Sequence, residues 1–351
     1  MTTFIQLHIL TAYAPSNLNR DDTGRPKTAI MGGVERLRVS SQSLKRAWRT
    51  SDVFEDALSG HIGTRTRRLG PQIYQQLLEK GIAEKKAIAI TEKIAGQFGK
   101  LKTDKGARTE SNLEIEQLVH VSPEELQQIQ KLLEVLIAED REPIDDELKL
   151  LRANAQAVDI ALFGRMLASH PEFNVEAACQ VAHALGTSAV TVEEDFFTAV
   201  DDLNRKEDSG SAHMGEQGFA SALFYSYICI SRDLLLENLK GNEELVQRTL
   251  KALTETALTV SPGGKQNSFA SRAWASYVMA EKGTQQPRAL SVAFFTPVRG
   301  EDQQAQAITR LEQQQQKFSR AYGPQADEQR YVMNVESGDG TLQELLNFVS
   351  Q

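Results

Sequence analysis

Between Phe4 and Thr11 the chain alternates, with Ile5, Leu7 and Ile9 separated by polar neighbours, and the segment ends in Pro, Ser, Asn and Asp. A period of two closed by turn residues predicts a first β-strand. A polar loop runs on to about Gly33. After it Val34, Arg36, Arg38 and Ser40 share one face of a short extended piece, with Leu37 and Val39 on the other. Ser40 or Ser41 then offers an N-cap for a helix reaching about Arg49. From about 59 to 170 the period becomes helical, as Ile73, Leu77 and Leu78 are followed by Ala87, Ile90, Ile94 and Phe98. Within this stretch Ser122-Pro123-Glu124-Glu125 combines a capping Ser, Pro at the first helical position and Glu125 to complete a capping box. Polar Lys100 to Asn112 reads as a loop.

Strand signals return at 175–185 and at 223–230. Between them Phe196 to Gly218 reads as an extended arm, a β-hairpin with a charged, Gly-rich tip at Asn204 to Gly210. A helix at about 233–258, the loop Ser261-Pro-Gly-Gly-Lys265 and a strand near 289–296 follow, and the Gln-rich 303–316 segment reads as a solvated helix. Without the helical insertion and the arm the order is βαββαβ. The predicted class is therefore α+β, with the ferredoxin-like topology that RNA-recognition-motif domains share. That topology carries many functions, so the residues have to decide.

Composition narrows the choice. With 40% hydrophobic and 25% charged residues over 351 positions, the chain is of ordinary globular make-up. It lacks an apolar run of the roughly 18 residues that a membrane helix needs, and its start lacks a signal-peptide pattern, so the expected location is the cytoplasm. Cys179 and Cys229 stand in apolar runs without zinc-type spacing and read as buried thiols. A net charge of −8 argues against a polyanion ligand until it is resolved along the chain. Residues 1–50 hold eight basic and three acidic side chains, a balance of +5, which leaves −13 for the other 301. A basic site on an acidic body is the expectation.

The densest basic feature runs from Arg36 to Arg49. Gln42, Lys45, Arg46 and Arg49 cover the outward part of the helix, leaving Leu44, Ala47 and Trp48 to pack. Lys45 and Arg49, four apart, repel by about 0.2–0.5 kcal/mol unless an anion lies between them. The helix N-terminus adds N–H donors beside the Ser40 and Ser41 hydroxyls, a phosphate cradle in outline. A solvated basic helix is the competing reading of the helix alone; Arg36 and Arg38 on the strand leading in favour a ligand. In the loop Asn19 to Lys27, Arg20 and Lys27 could hold a phosphate while Asn19 orients the backbone, or Asp21 and Asp22 could simply pair with those bases. A third reading makes the aspartates Mg²⁺ ligands with Asp159 or with Asp201 and Asp202, although no general base accompanies them. Gly263-Gly264-Lys265 bares backbone N–H groups beside a charge, without P-loop spacing; a helix C-cap and turn explains it more readily. Phe196-Phe197-Thr198 and Gly164-Arg165-Met166 could set apolar groups against bases, or be core. Of the six histidines, none, including His8, His183 and His213, pairs with a nucleophile in a recognisable order.

Leu18-Asn-Arg-Asp-Asp22, Lys27, Gly32-Gly33, Arg36, Arg38 and Ser40 through Ala47 resemble the N-terminus of the CasC family. That family is the repeating backbone subunit of the type I-E CRISPR surveillance complex, Cascade. The likeness continues at Val158 to Met166, Phe197 to Leu203, Gly210 to Gly215 and Pro262 to Gln266. It implies a palm (1–58, 171–192, 223–351), a helical fingers domain (59–170) and a thumb hairpin (193–222). Copies would line up along the crRNA spacer beside other Cascade subunits, away from any membrane. Each thumb would reach the neighbouring copy and flip out one nucleotide at intervals, while the target DNA strand is read by pairing with the guide. Arg20, Lys27, Ser40, Gln42, Lys45, Arg49, Lys265 and Gln266 would grip the guide backbone. Met166 and Phe196-Phe197-Thr198 would brace bases; the best-known members have Trp where this chain has Phe196. Asn19, Arg36, Arg38 and Arg46 complete the candidate RNA-binding set. Members do not cut and need no cofactor or metal, whereas type III backbone subunits carry a cleaving aspartate in a related loop. Asp21 and Asp22 therefore keep a metal-dependent ribonuclease acting on guide-paired RNA as the alternative.

Overall fold

The alternation at the N-terminus is drawn out into a long strand, β1 (Phe4–Ser16), whose residues Ile5 to Leu10 are buried on both faces. The computed structural model describes residues 2–102, 110–152, 156–199, 213–323 and 328–351. After β1, the stretch expected to be loop contains a strand of its own: β2 (Thr28–Met31) pairs antiparallel with β3 (Val34–Val39). The turn between them is Gly32-Gly33, both left-handed at φ +63° and +76°. Paired positive φ values give the twisted two-residue turn that hairpins favour, and glycine alone adopts it without strain. The helix α1 (Ser41–Arg49) starts on Ser40 and buries Leu44 and Trp48, and α2 (Asp52–Ala57) follows.

The helical region holds β4 (Thr64–Thr66), α3 (Leu69–Glu79), α4 (Glu84–Gly96), β5 (Val119–Val121), α5 (Pro123–Glu139) and α6 (Val158–Phe163). The expected periodicity buries Ile73 and Leu77 of α3 against Ile90 and Ile94 of α4 and Ile129 and Leu133 of α5. A small sheet that periodicity did not show, β4 with β5, lies within it. The capping box forms: Ser122 Oγ accepts from Glu125 N–H at 3.1 Å and Glu125 Oε2 accepts from Ser122 N–H at 2.9 Å. The buried Glu125 carboxylate also holds the equally buried Arg165 at 2.8 Å.

The chain continues through β6 (Cys179–Val181), β7 (Ala184–Gly186), β8 (Glu193–Ala199), β9 (His213–Ser231), α7 (Arg232–Asn238), α8 (Glu243–Thr259), α9 (Gln266–Phe269), β10 (Tyr277–Gly283), α10 (Gln303–Tyr322), β11 (Gln329–Asn334) and α11 (Leu342–Ser350). The helix expected at 233–258 is broken by Lys240 and Gly241, both left-handed. Cys179 and Cys229 are buried free thiols. The hairpin tip, Asn204 to Gly210, and most of the 100–112 loop lie outside the described residues.

Strand order in the main sheet is β11-β10-β1-β9-β7-β3-β2, with β8 also paired to β9. Within it, β10-β1-β9-β7 is fourth, first, third and second in the βαββαβ series, the arrangement of a ferredoxin-like sheet. The fourth strand is not 289–296, as expected, but β10. Residues Ser291–Phe294 form a 3₁₀ turn whose Leu290 and Phe294, four apart, are buried against Tyr225, Tyr277 and Leu311. Helical spacing had been taken for a strand. The alternation in β10 is hidden by Glu281, which is buried because His8 Nε2 (3.1 Å) and the Arg288 guanidinium (2.9 and 3.0 Å) satisfy it. Burial pushes the His8 imidazole below its ordinary pKa against the pull of Glu281. Two compact units result, one of Met1–Glu55, Gln180–Ile230 and Leu250–Gln351, the other of Asp56–Cys179 and Ser231–Thr249. The sheet described above belongs to the first.

Arg36 departs most from expectation. Its side chain is 0% exposed. The guanidinium donates to the carbonyls of Met31 (3.3 Å), Gly186 (3.1 Å), Thr187 (2.5 Å), Phe294 (3.0 Å) and Phe295 (3.5 Å). A buried charge survives only when its donors are met, and here five backbone dipoles meet them. Arg36 is thus a structural staple rather than a phosphate grip. Replacing it by Leu strands several carbonyls at about 1–3 kcal/mol each, so Arg36→Leu is expected to lose on the order of 3–5 kcal/mol. Urea unfolding followed by circular dichroism checks this against Arg38→Leu, on the same strand, whose midpoint should move far less; equal shifts would contradict it.

Candidate nucleic-acid interface

The loop that follows β1 is shaped by its own side chains. Asp21 Oδ1 accepts from Thr23 N–H (2.9 Å), Thr23 Oγ1–H (2.8 Å) and Arg25 N–H (3.0 Å), and the Lys27 N–H donates to Asn19 C=O at 2.8 Å. This is an Asx-type turn, which holds the backbone without a partner elsewhere. The hydrogen bond from the Thr23 hydroxyl, with those of the backbone, holds the Asp21 carboxyl below its usual pKa. Two amides anchor the loop. Buried Asn17 donates to Gly24 C=O (3.0 Å) and, across the sheet, to Gly218 C=O of β9 (2.9 Å), while Asn19 Oδ1 accepts from Ser40 N–H at 2.9 Å. Asn19 thereby fixes the loop to the start of α1, an attachment that the sequence does not show. The exposed pair Arg25–Glu194 (3.1 Å) links the loop to β8, and Gly218 lies close enough to Pro26 that a Cβ there would sit 3.1 Å from its ring.

On the other side stands α1. Ser40 caps it, its Oγ accepting from Ser43 N–H at 3.3 Å, so this buried hydroxyl is already committed. Leu44 and Trp48 turn inward, which leaves Gln42 and Arg46 exposed and Lys45 and Arg49 half-buried. The glycine loop completes the site. A Cβ on Gly264 would come within 2.2 Å of Leu18 C=O, so only glycine lets the two backbones approach. Together Leu18 to Asp22, Gly24, Ser43, Arg46, Ala47, Thr50, Gly263 and Gly264 line an open groove of about 590 Å³. Arg20 and Arg46 line it, are exposed, and have no carboxylate partner among the described residues. Lys265, left-handed at φ +50°, begins α9 beside the groove's glycines. Gln266 turns the other way: its amide donates to Pro262 C=O (2.7 Å) and Ser271 C=O (3.1 Å), closing the loop on itself.

A second cationic group lies on the same unit. Arg38 donates to His183 Nδ1 at 2.9 Å and to Thr28 C=O at 3.3 Å. Partial burial lowers the His183 pKa, and the positive charges of Arg38, Lys27 and Lys45 lower it further. Along the arm, Phe196, Phe197 and Thr198 of β8 pair with Glu216, Gly215 and Met214 of β9. Phe197 lies over Gly215, where a Cβ would sit 2.5 Å from the ring, whereas Phe196, on the opposite face, is 60% exposed.

The profile of the CT1975-like protein family matches residues 5–347. The chain belongs to that family. It is the CasC-like family to which the N-terminal motifs pointed. A chain of a solved "CRISPR RNA-guided surveillance complex, pre-nicking" is similar to this CT1975-like chain at a TM-score of 0.83 and 29% identity, with 99% of each chain covered. A chain of another "CRISPR RNA-guided surveillance complex" gives 0.75 at 23% identity, again over 99% of both, and supports the fold alone. No curated protein matches.

The structure of this CT1975-like chain thus brings Asn19, Arg20 and Arg46 to one groove with the glycine loop, and Lys27, Arg38 and Lys45 to His183. Arg36 and the Gln266 amide are spent inside the fold. Met166 is 84% exposed and belongs to the other unit, as does Asp159, whose buried carboxylate accepts from Gly63 N–H (2.8 Å) and meets His120 Nε2 (2.7 Å). Asp201 and Asp202 lie outside the described residues. Among the described residues no group of three or more His, Cys, Asp or Glu side chains is arranged so that it could hold a metal ion. The sequence weighs His183 only as a partner for a nucleophile; its pairing with Arg38, 145 positions away, leaves no local signal.

Because Asp21's folded pKa is depressed, its turn contributes stability above the unfolded value, about 3.9, and that contribution is lost as pH falls through the folded value. In an NMR titration the Thr23 and Arg25 amide signals should therefore stay native to below about pH 3.9 and then shift together. Asp21→Asn should abolish that transition; its persistence would assign it elsewhere.

Proposed function

We propose that this chain is the repeating guide-RNA-binding subunit of a type I-E CRISPR surveillance complex of the Cascade kind, acting in the cytoplasm without cutting RNA itself. The observation that carries the proposal is the groove between the Asn19–Asp22 loop, α1 and Gly263-Gly264, where Arg20 and Arg46 stand exposed without a carboxylate partner among the described residues. Unpaired cations beside bare backbone suit a sugar-phosphate chain, which is gripped by charge and N–H donors irrespective of sequence. The acidic remainder of the chain, −13 against +5 in the first fifty residues, would disfavour loose binding elsewhere. The surveillance-complex chain at 29% identity points the same way. In this reading Lys27, Arg38, Gln42, Lys45, Arg49 and Lys265 supply further backbone contacts. Exposed Phe196 and Met166 offer flat or pliable apolar surface to bases, each stacking contact being worth about 1–3 kcal/mol. Neighbouring copies and other subunits of the complex are the protein partners, and the target DNA strand is met through the guide.

The experiment is co-expression with a CRISPR transcript and the partner subunits, followed by measurement of RNA retained against rising salt. Guide RNA should co-purify. Arg20→Ala with Arg46→Ala should weaken retention and flatten the log–log salt dependence by about 1–2, since each phosphate contact on single-stranded RNA contributes roughly 0.7. Folding stability should change by less than about 1 kcal/mol. Absence of RNA, or retention unaltered by the double variant, would sink the proposal. Mg²⁺-dependent cleavage of guide-paired RNA that vanishes in Asp22→Ala would install the ribonuclease reading in its place.

A further inference from the structure

We propose that His183 is a proton-linked contact for an RNA phosphate: it sits neutral against Arg38 among cations and takes up a proton when the polyanion binds. The inference rests on the guide-RNA reading above and deepens it by naming a residue and a dependence on pH.

The geometry fixes the starting state. Arg38 Nη1 lies 2.9 Å from His183 Nδ1, and a guanidinium can only donate. Nδ1 is therefore the acceptor, and the imidazole carries its proton on Nε2. The ring is exposed, so a phosphate oxygen can reach it from solvent. The charged groups that act on the ring come from three elements: Arg38 on β3, Lys27 just before β2, and Lys45 on α1. All three are cations, and with partial burial they hold the imidazole below its ordinary pKa. A phosphate among them reverses the balance. It offsets the repulsion and accepts from a protonated ring, so the bound-state pKa must lie above the free one. Protonating Nδ1 also removes the acceptor that holds Arg38, which lets the guanidinium turn to the phosphate.

Linkage sets the sign. With the pKa higher in the complex, affinity is weakest above the bound-state value and tightens as pH falls towards the free-state value. One unit of difference corresponds to about a tenfold change in affinity. Since histidine ordinarily titrates near 6.5, the window is expected between about pH 8 and pH 6.

The test uses the full-length chain and a short single-stranded oligoribonucleotide at fixed salt, with Kd measured across this window. The wild-type chain should tighten by about three- to tenfold as pH falls. In His183→Gln, whose side-chain oxygen still accepts from Arg38 but does not titrate, most of the tightening should disappear. Calorimetry in buffers of different ionisation heat should show proton uptake on binding that is smaller in His183→Gln. A residue that only steadied Arg38 would leave both the pH profile and the proton count unmoved by this change. Equal pH dependence in the two proteins overturns the role of His183 while leaving the guide-RNA reading standing. If neither protein binds RNA at any pH, that reading falls, and the inference with it.

Discussion

One buried guanidinium holds together three parts of the chain that are far apart in sequence. Arg36 projects from β3 into a ring of carbonyls supplied by the β2–β3 hairpin, by the end of β7 and by the turn that closes on Phe295. No carboxylate is needed, because five aligned C=O dipoles satisfy the donors that burial removes from water. The cost of desolvating a charge is offset only if all these segments arrive together, so the staple rewards one arrangement and penalises partial ones. Its consequence for the site is direct. The strand that carries Arg36 also carries Arg38 and runs into the Ser40 cap of α1, so the groove inherits its position from an arginine that is absent from its lining.

A division of labour among polar side chains follows. Neutral amides do most of the fastening: Asn17 and Asn19 tie the first loop, helped by the exposed Arg25–Glu194 pair, and Gln266 closes the glycine loop. Asp21 is consumed within its own turn. Arg20 and Arg46 are therefore left uncommitted where the groove opens, although the chain as a whole is acidic. Had the loops been held by ion pairs, the same arginines would have been neutralised locally, and exposed pairs contribute little stability in return. Fastening by amides keeps the positive charge available.

What could be read from the sequence was whatever is decided locally. The alternation in β1, the Ser40 cap, the inward set of α1 and the capping box at Ser122 all depend on residues within one turn or one strand. The βαββαβ order followed from such pieces. The fourth strand did not, because Glu281 and Lys282 interrupt its apolar alternation, and His8 and Gln315, distant in sequence, join Arg288 in making Glu281 a core residue. Leu290 and Phe294 were misplaced for the complementary reason: a short apolar run fits a strand and a helical turn alike. At the site, Arg36 and Arg38 looked equivalent by strand position, yet one meets five carbonyls and the other a histidine. Nothing within a few residues of either distinguishes them. The pairing of His183 with Arg38 is hidden on the same ground.

The root of the arm is tied to the groove's loop three times over, by Asn17 bridging Gly24 to Gly218, by Arg25 with Glu194, and by the contact of Gly218 with Pro26. These ties span only a few ångströms and join the two segments without an intervening linker. The distance from arm root to groove is therefore a fixed length. In the guide-RNA reading proposed above, copies set at equal intervals along a flexible polymer would find such a measure in their own fold, since the polymer supplies none.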